Sequence, residues 1–173
     1  MPQWQGGDEP AYSFGSELLR WLAPPHDGPE ETVAVPEPDG SSPPVSRGIK
    51  WCAALLSQAR AAREAIERHA PDRIVTLGGD CLVDLAPMAY LSRRYGEKLG
   101  VLWLDAHPDV MSAAEFSHAH AHVLALLLGR GDEAFTAEVP RKLDARRVMI
   151  AGMQGWNADE DLILKELGIR HIP

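Results

Sequence analysis

Asp105, His107 and Asp109 stand at alternate positions in the run Asp105-Ala106-His107-Pro108-Asp109, directly after the hydrophobic stretch Gly100–Asp105. In extended backbone, residues i, i+2 and i+4 present their side chains to one side. Two carboxylates and one imidazole facing the same way can hold divalent metal. A carboxylate can bridge two ions, and an oxygen-rich set with one histidine suits Mn²⁺ better than a thiolate-rich Zn²⁺ set does. Two such ions can hold a hydroxide at neutral pH and direct it at an electrophilic carbon. The plainer alternative is a polar turn in which Asp105 caps the following helix, a common use of Asp and His.

These residues need a scaffold, and the flanking sequence supplies one. Ile49, Cys52, Leu55, Leu56, Ala59, Ala62 and Ile66 mark one face of a helix ending near His69. Arg73–Leu77 reads as a short buried strand, closed by Gly78-Gly79. A helix is expected from about Val83 to Tyr95, a strand over Gly100–Asp105, and a helix from about Ala121 to Gly129. Arg147–Ala151 predicts a further strand, Asp159–Leu167 a short helix and Arg170–Ile172 a last strand. Strands alternating with helices indicate a mostly parallel α/β sheet, and near-continuous apolar runs fit strands covered on both faces. Ligands bind beyond the carboxyl ends of strands in such sheets. The loops after Leu77 and Leu104 then share a rim, which brings Asp80-Cys81 toward Asp105–Asp109.

The N-terminal part is less regular. Tyr12–Leu22 has an amphipathic helical pattern in Phe14, Leu18, Trp21 and Leu22. Seven of the 21 residues from Pro24 to Pro44 are proline, which excludes a helix there. Residues 23–47 read as a surface loop, with Val33 and Val35 forming at most one edge strand. The whole chain, 1–173, reads as a single α/β domain.

Composition narrows the function. The formal charge of −8, with basic residues scattered, argues against a nucleic-acid partner. No apolar run approaches the roughly 20 residues of a membrane helix. Met1–Gly7 has neither a basic nor an apolar segment of a secretory signal. Two cysteines, Cys52 and Cys81, without such a signal suggest a cytoplasmic protein. Cys52, on the apolar helix face, reads as core filling.

Three motifs together carry a resemblance. Gly78-Gly79-Asp80-Cys81, then Asp105-Ala106-His107-Pro108-Asp109, then His120-Ala121-His122 ahead of Leu126-Leu127-Leu128-Gly129 resemble, in order and spacing, the metal loops of the ureohydrolases, the arginase–agmatinase family. The resemblance covers most of the chain and is weakest through Met1–Pro44. It implies a three-layer α/β/α fold and a manganese-dependent hydrolase of guanidine-type C–N bonds that releases urea by attack of metal-held hydroxide. By the same resemblance Asp105 would bridge two Mn²⁺ ions, His107 would bind one and Asp109 the other. Asp109 and His120 form the catalytic set, His120 serving in proton transfer, with His118 and His122 as alternatives in register and His122 as a substrate contact. The substrate would be a small guanidine or amidine, with a formimino compound possible. A homo-oligomer is also implied.

Several positions depart from the family pattern. Cys81 stands where the first histidine ligand is usual. It ligates, or leaves one metal position weak or empty, or is a small buried residue beside the site. Met111 stands where members acting on amino acids often carry Asn for the substrate carboxylate, which weighs against arginine. Gln154 replaces a frequent arginine. The family's later Asp-x-Asp ligands have no counterpart; Asp159-Glu160-Asp161 reads as a helix-capping cluster. The sheet is therefore expected to be incomplete at its C-terminal end and the 173 residues alone inactive. A degenerate, non-catalytic ureohydrolase-like subunit is the other function these departures allow.

Overall fold

The computed structural model describes residues 1–172. Its central element is a three-stranded parallel sheet of β3 (Val101–Leu104), β4 (Val148–Ala151) and β5 (Arg170–Ile172), in that order. Leu104 pairs with Ala151 and Ala151 with Ile172, so the carboxyl ends of all three strands are level. A short antiparallel hairpin, β1 (Val45–Ser46) and β2 (Ile49–Lys50), precedes the long helix α2 (Cys52–His69). This hairpin replaces the edge strand expected at Val33 and Val35. The proline-rich residues 24–44 form no regular structure.

The helices follow local rules. α2 buries Cys52, Leu55, Leu56, Ala59 and Ala62 on one face, as their spacing requires. α6 (Ala158–Leu167) opens on a capping box: Asn157 accepts from the backbone N–H of Asp159 and Glu160, and Glu160 accepts from the Asn157 N–H. Asp159, Glu160 and Asp161 fill its first turn, favourable at the positive end of the helix dipole, and left-handed Gly168 ends it. α3 (Leu85–Tyr95) and α4 (Val123–Leu127) each follow a 3₁₀ turn, over Cys81–Asp84 and Ala119–His122. The helices expected to begin at Val83 and Ala121 thus start with tighter turns. α1 (Ala11–Leu22) and the four-residue α5 (Glu133–Thr136) complete the set. No helix among the described residues is long and apolar enough to cross a membrane.

The main core lies on one side of the sheet. Trp103, Val148 and Ile150 point into it and pack with Leu55, Leu85, Val123, Leu124, Leu127, Phe135 and Leu164. Leu102 and Leu104 point the other way and are 59% and 74% exposed. Cover on both faces was expected; β3 is covered on one. A second difference concerns Arg73–Leu77, which makes no strand ladder. Its last residue is tied instead to the N-terminal segment, the Met1 ammonium donating to Leu77 O at 2.7 Å.

Much of that segment is buried, though no local pattern in Met1–Gly7 marks it as interior. Gln3 and Gln5 are interior, and Gln3 Nε2 donates to Gln58 Oε1 of α2 at 2.6 Å. The N–H of Asp80 donates to Gln3 O at 3.0 Å, and the N–H of Gly6 donates to Asp80 Oδ2 at 2.8 Å. Gly79 is required here because a Cβ would collide with the Gln3 carbonyl oxygen. Gly79→Ala is therefore expected to displace residues 3–6 and to destabilise the protein by about 1–3 kcal/mol, the usual range for overpacking. Faster amide exchange at Gly6 and Asp80, with a lower denaturation midpoint, is the result to look for; unchanged exchange would contradict this packing.

Candidate metal centre

Three side chains converge beyond the carboxyl end of β3. One ligand atom from each of Cys81, Asp105 and Asp109 lies within 4.8 Å of the others. Each is placed by a separate piece of local structure. Asp80 opens the 3₁₀ turn by accepting the Leu82 N–H at 3.0 Å, which fixes Cys81 as the first residue of that turn. Asp105 continues β3, and its N–H donates to Ala151 O of β4 at 3.1 Å. Asp109 adopts a left-handed backbone, φ 51°. Its carbonyl oxygen receives the N–H groups of Leu124 and Ala125 at 3.1 and 3.2 Å, so the start of α4 anchors it. A non-glycine residue held in this region is strained and persists only where its surroundings enforce it.

The electrostatics of the group are unbalanced. Asp109 is 2% exposed and its Oδ2 has no hydrogen-bond partner. The Cys81 thiol donates to Asp105 Oδ2 at 3.8 Å. Among the described residues no Lys or Arg pairs with Asp105 or Asp109; the His107 imidazole lies 3.7 Å from Asp105. Burial, then the adjacent Asp105 charge, pushes the Asp109 carboxyl up to about 8. Burial and the same carboxylates push the Cys81 thiol up strongly. An orphaned buried oxygen, a second carboxylate and a thiol fit one divalent cation. It would give Asp109 the partner the protein withholds.

The histidines are placed differently from one another. His107 is 67% exposed and lies outside the converging group. Its Nε2 would lie 3.4 Å from a Cβ at Gly155, in the loop after β4, and Gln154 and Gly155 donate their N–H groups to Ala106 O. His120 Nδ1 contacts Gly6 O at 2.9 Å. A carbonyl can only accept, so Nδ1 carries the proton and Nε2 keeps its lone pair. Gly6 thus joins His120 to Asp80, the neighbour of Cys81. His122 is 2% exposed and donates from Nε2 to Phe116 O at 2.8 Å. That burial makes it part of the framework under α4 rather than a surface a substrate could touch. His118 accepts from Lys50 Nζ at 3.1 Å, and Lys50 also pairs with Asp8 at 2.8 Å. Cys52 is buried in the core cluster, as its position on α2 indicated.

A cleft of about 260 Å³ is lined by Met111, Glu115, Asn157, Asp159 and Glu160. Glu160 is close enough to Asp109 to raise its carboxyl further. The sequence pointed to Asp105 and Asp109 as ligands and left the role of Cys81 open; it did not mark Asp80 as the tie to the N-terminus, nor Glu115 as part of the cleft. No local pattern distinguishes Glu115 from any exposed glutamate.

The candidate metal donors thus lie at the strand ends of a parallel α/β sheet, where ligands bind in folds of this class. The family model of the arginase family matches residues 41–173. The chain belongs to the arginase family. It is similar to an arginase of Bacillus caldovelox, 31% identical over 128 residues, which cover 66% of this chain and 42% of that protein. It is also similar to an arginase of Coccidioides immitis, 28% identical over 160 residues, 84% of this chain and 48% of that protein. The chain spans less than half the length of these two relatives. A solved arginase of Entamoeba histolytica in complex with L-ornithine superposes with a TM-score of 0.82 at 20% identity, over 98% of this chain and 62% of its own. The native Bacillus caldovelox arginase structure gives 0.70 at 22%, over 81% and 48%. Both likenesses show the arginase-like α/β fold.

The charge imbalance gives a pH signature. An unfolded aspartate releases its proton near 3.8, whereas folded Asp109 holds it to about 8. Over that interval the folded state binds more protons, so the stabilising contribution is complete below the lower value and is lost as pH rises through the upper one. Metal-free protein should therefore lose stability between about pH 4 and 8, and Asp109→Asn should flatten that loss. Divalent metal should bind more tightly as pH rises over the same range, because its ligands must deprotonate. Urea denaturation across pH, with and without metal, checks both slopes.

Proposed function

We propose that this chain carries the first part of the centre of a metal-dependent hydrolase of guanidine-type C–N bonds. The observation that carries the reading is the convergence of Cys81, Asp105 and Asp109 on one point at the strand ends, in a chain of the arginase family. Asp105 and Asp109 would hold a divalent ion, Mn²⁺ being what the family resemblance implies. Bound there, the ion supplies a nucleophile from water at neutral pH. The rest of the chemistry falls to the chain's own groups. His120, with its Nδ1 proton committed to Gly6 O, would take a proton at Nε2 from the attacking water and return it from the same atom to the leaving amine.

The cleft lining bears on substrate. Glu115, Asp159 and Glu160 are acidic, Met111 is apolar, and no cationic side chain lines the cleft. Such a surface attracts a cationic guanidine or amidine and repels a substrate carboxylate, the Asn157 amide being its one neutral polar side chain. This favours an amine-terminated guanidine over arginine, in agreement with Met111 at the position where Asn would hold a carboxylate.

The placement of His107 supports a second reading. With that imidazole 67% exposed, the chain assembles donors for one ion rather than two, as a non-catalytic ureohydrolase-like subunit would. The two readings separate in a urea assay with guanidine substrates under metal saturation. The 173 residues alone are expected to release none. A fusion to the C-terminal part of the Bacillus caldovelox arginase is expected to release urea, to lose it in Asp105→Ala, and to slow by about 10²–10⁴-fold in His120→Ala. A metal-loaded fusion that stays silent would favour the non-catalytic subunit. Turnover by the chain alone would show that its own donors suffice.

A further inference from the structure

We infer that Cys81 turns this centre away from manganese and toward a thiophilic divalent ion, zinc foremost. The inference rests on the metal-centre reading above and specifies the ion. In the group that converges, sulfur is the one donor that is not oxygen, because His107 stands outside it. The sulfur is held firmly. Asp80 fixes the turn that carries it, and the Asp80 backbone is itself pinned to Gln3 O at 3.0 Å.

Geometry allows the bond. Metal distances of about 2.3 Å to sulfur and about 2.0 Å to oxygen, at a tetrahedral angle, separate the two ligand atoms by about 3.5 Å. Cys81 Sγ and Asp105 Oδ2 are 3.8 Å apart without metal, so a shift of a few tenths of an ångström seats the ion. Asp109, buried and with its Oδ2 unpartnered, supplies the third donor through a carboxylate oxygen. On binding, the thiol proton leaves to solvent and the Sγ–metal bond forms, with no change of oxidation state. Thiolate favours softer ions, and Mn²⁺ is the weakest binder of the first-row series even at hard sites. A cysteine in this position compounds that disadvantage where a histidine or carboxylate would lessen it.

The test uses the full 173-residue chain and the metals themselves. Protein is equilibrated with buffered mixtures of Zn²⁺ and Mn²⁺, and bound metal is measured by mass spectrometry. Cys81→His is expected to shift the Zn²⁺/Mn²⁺ preference toward manganese by at least about tenfold, the scale on which changes around a metal alter its affinity. In parallel, the Co²⁺ form should show a sulfur-to-cobalt charge-transfer band. That band should vanish in Cys81→Ser while cobalt stays bound, and persist in Cys52→Ser. Cobalt bound without the band, or an unchanged preference in Cys81→His, overturns the inference and leaves the hydrolase reading standing. Folded protein that binds none of the three ions overturns the inference and the metal centre together.

Discussion

The arrangement depends on one unfavourable juxtaposition: a buried carboxylate, Asp109, beside a second carboxylate and a thiol, with no Lys or Arg to pair it among the described residues. Isolated charge in a protein interior is expensive, and a protein normally pairs it, hydrogen-bonds it or neutralises it. Here Asp109 takes the last course, its carboxyl pushed up to about 8, and its Oδ2 is still left without a hydrogen-bond partner. The chain also spends backbone strain to keep it there, since Asp109 is left-handed and its carbonyl is tied to the start of α4. Interactions that hold an unpartnered buried acid in place are what a cation site requires.

The rest of the structure serves that point. β3 delivers Asp105, and its pairing with β4 fixes the height at which the loop begins. The Asp80 cap sets Cys81. The N-terminal segment, outside the part matched by the family model, contributes through Gly6, which gives its N–H to Asp80 and its carbonyl to His120. One residue thus links the metal loop to the histidine expected to move protons. The same segment covers the Gly79 backbone, and only a residue without a Cβ permits so close an approach.

Much of this was legible in the sequence, for identifiable reasons. β3 and β4 were visible as apolar runs, and α6 by its acidic first turn, because those signals are local. Asp105 and Asp109 were visible by type and by their position after a strand. His107, expected on the same side as the two aspartates, is exposed and outside the group they form with Cys81. The expectation that positions 105, 107 and 109 share a side assumes extended backbone, and the bend over Ala106 and His107 breaks that alternation. The N-terminal clamp was hidden for another reason: its contacts, such as Gln3 with Gln58, join residues 55 apart and leave no mark in either neighbourhood. Arg73–Leu77 has strand-like composition, yet composition does not supply a hydrogen-bonded neighbour.

The most direct measurement is anomalous diffraction from crystals of the chain grown with a divalent ion and recorded at that ion's absorption edge. A single peak within bonding distance of Cys81 Sγ and of carboxylate oxygens of Asp105 and Asp109, with His107 directed away, is the result this account predicts. No peak at that position, or a peak bound by His107 and lacking Asp109, would contradict it.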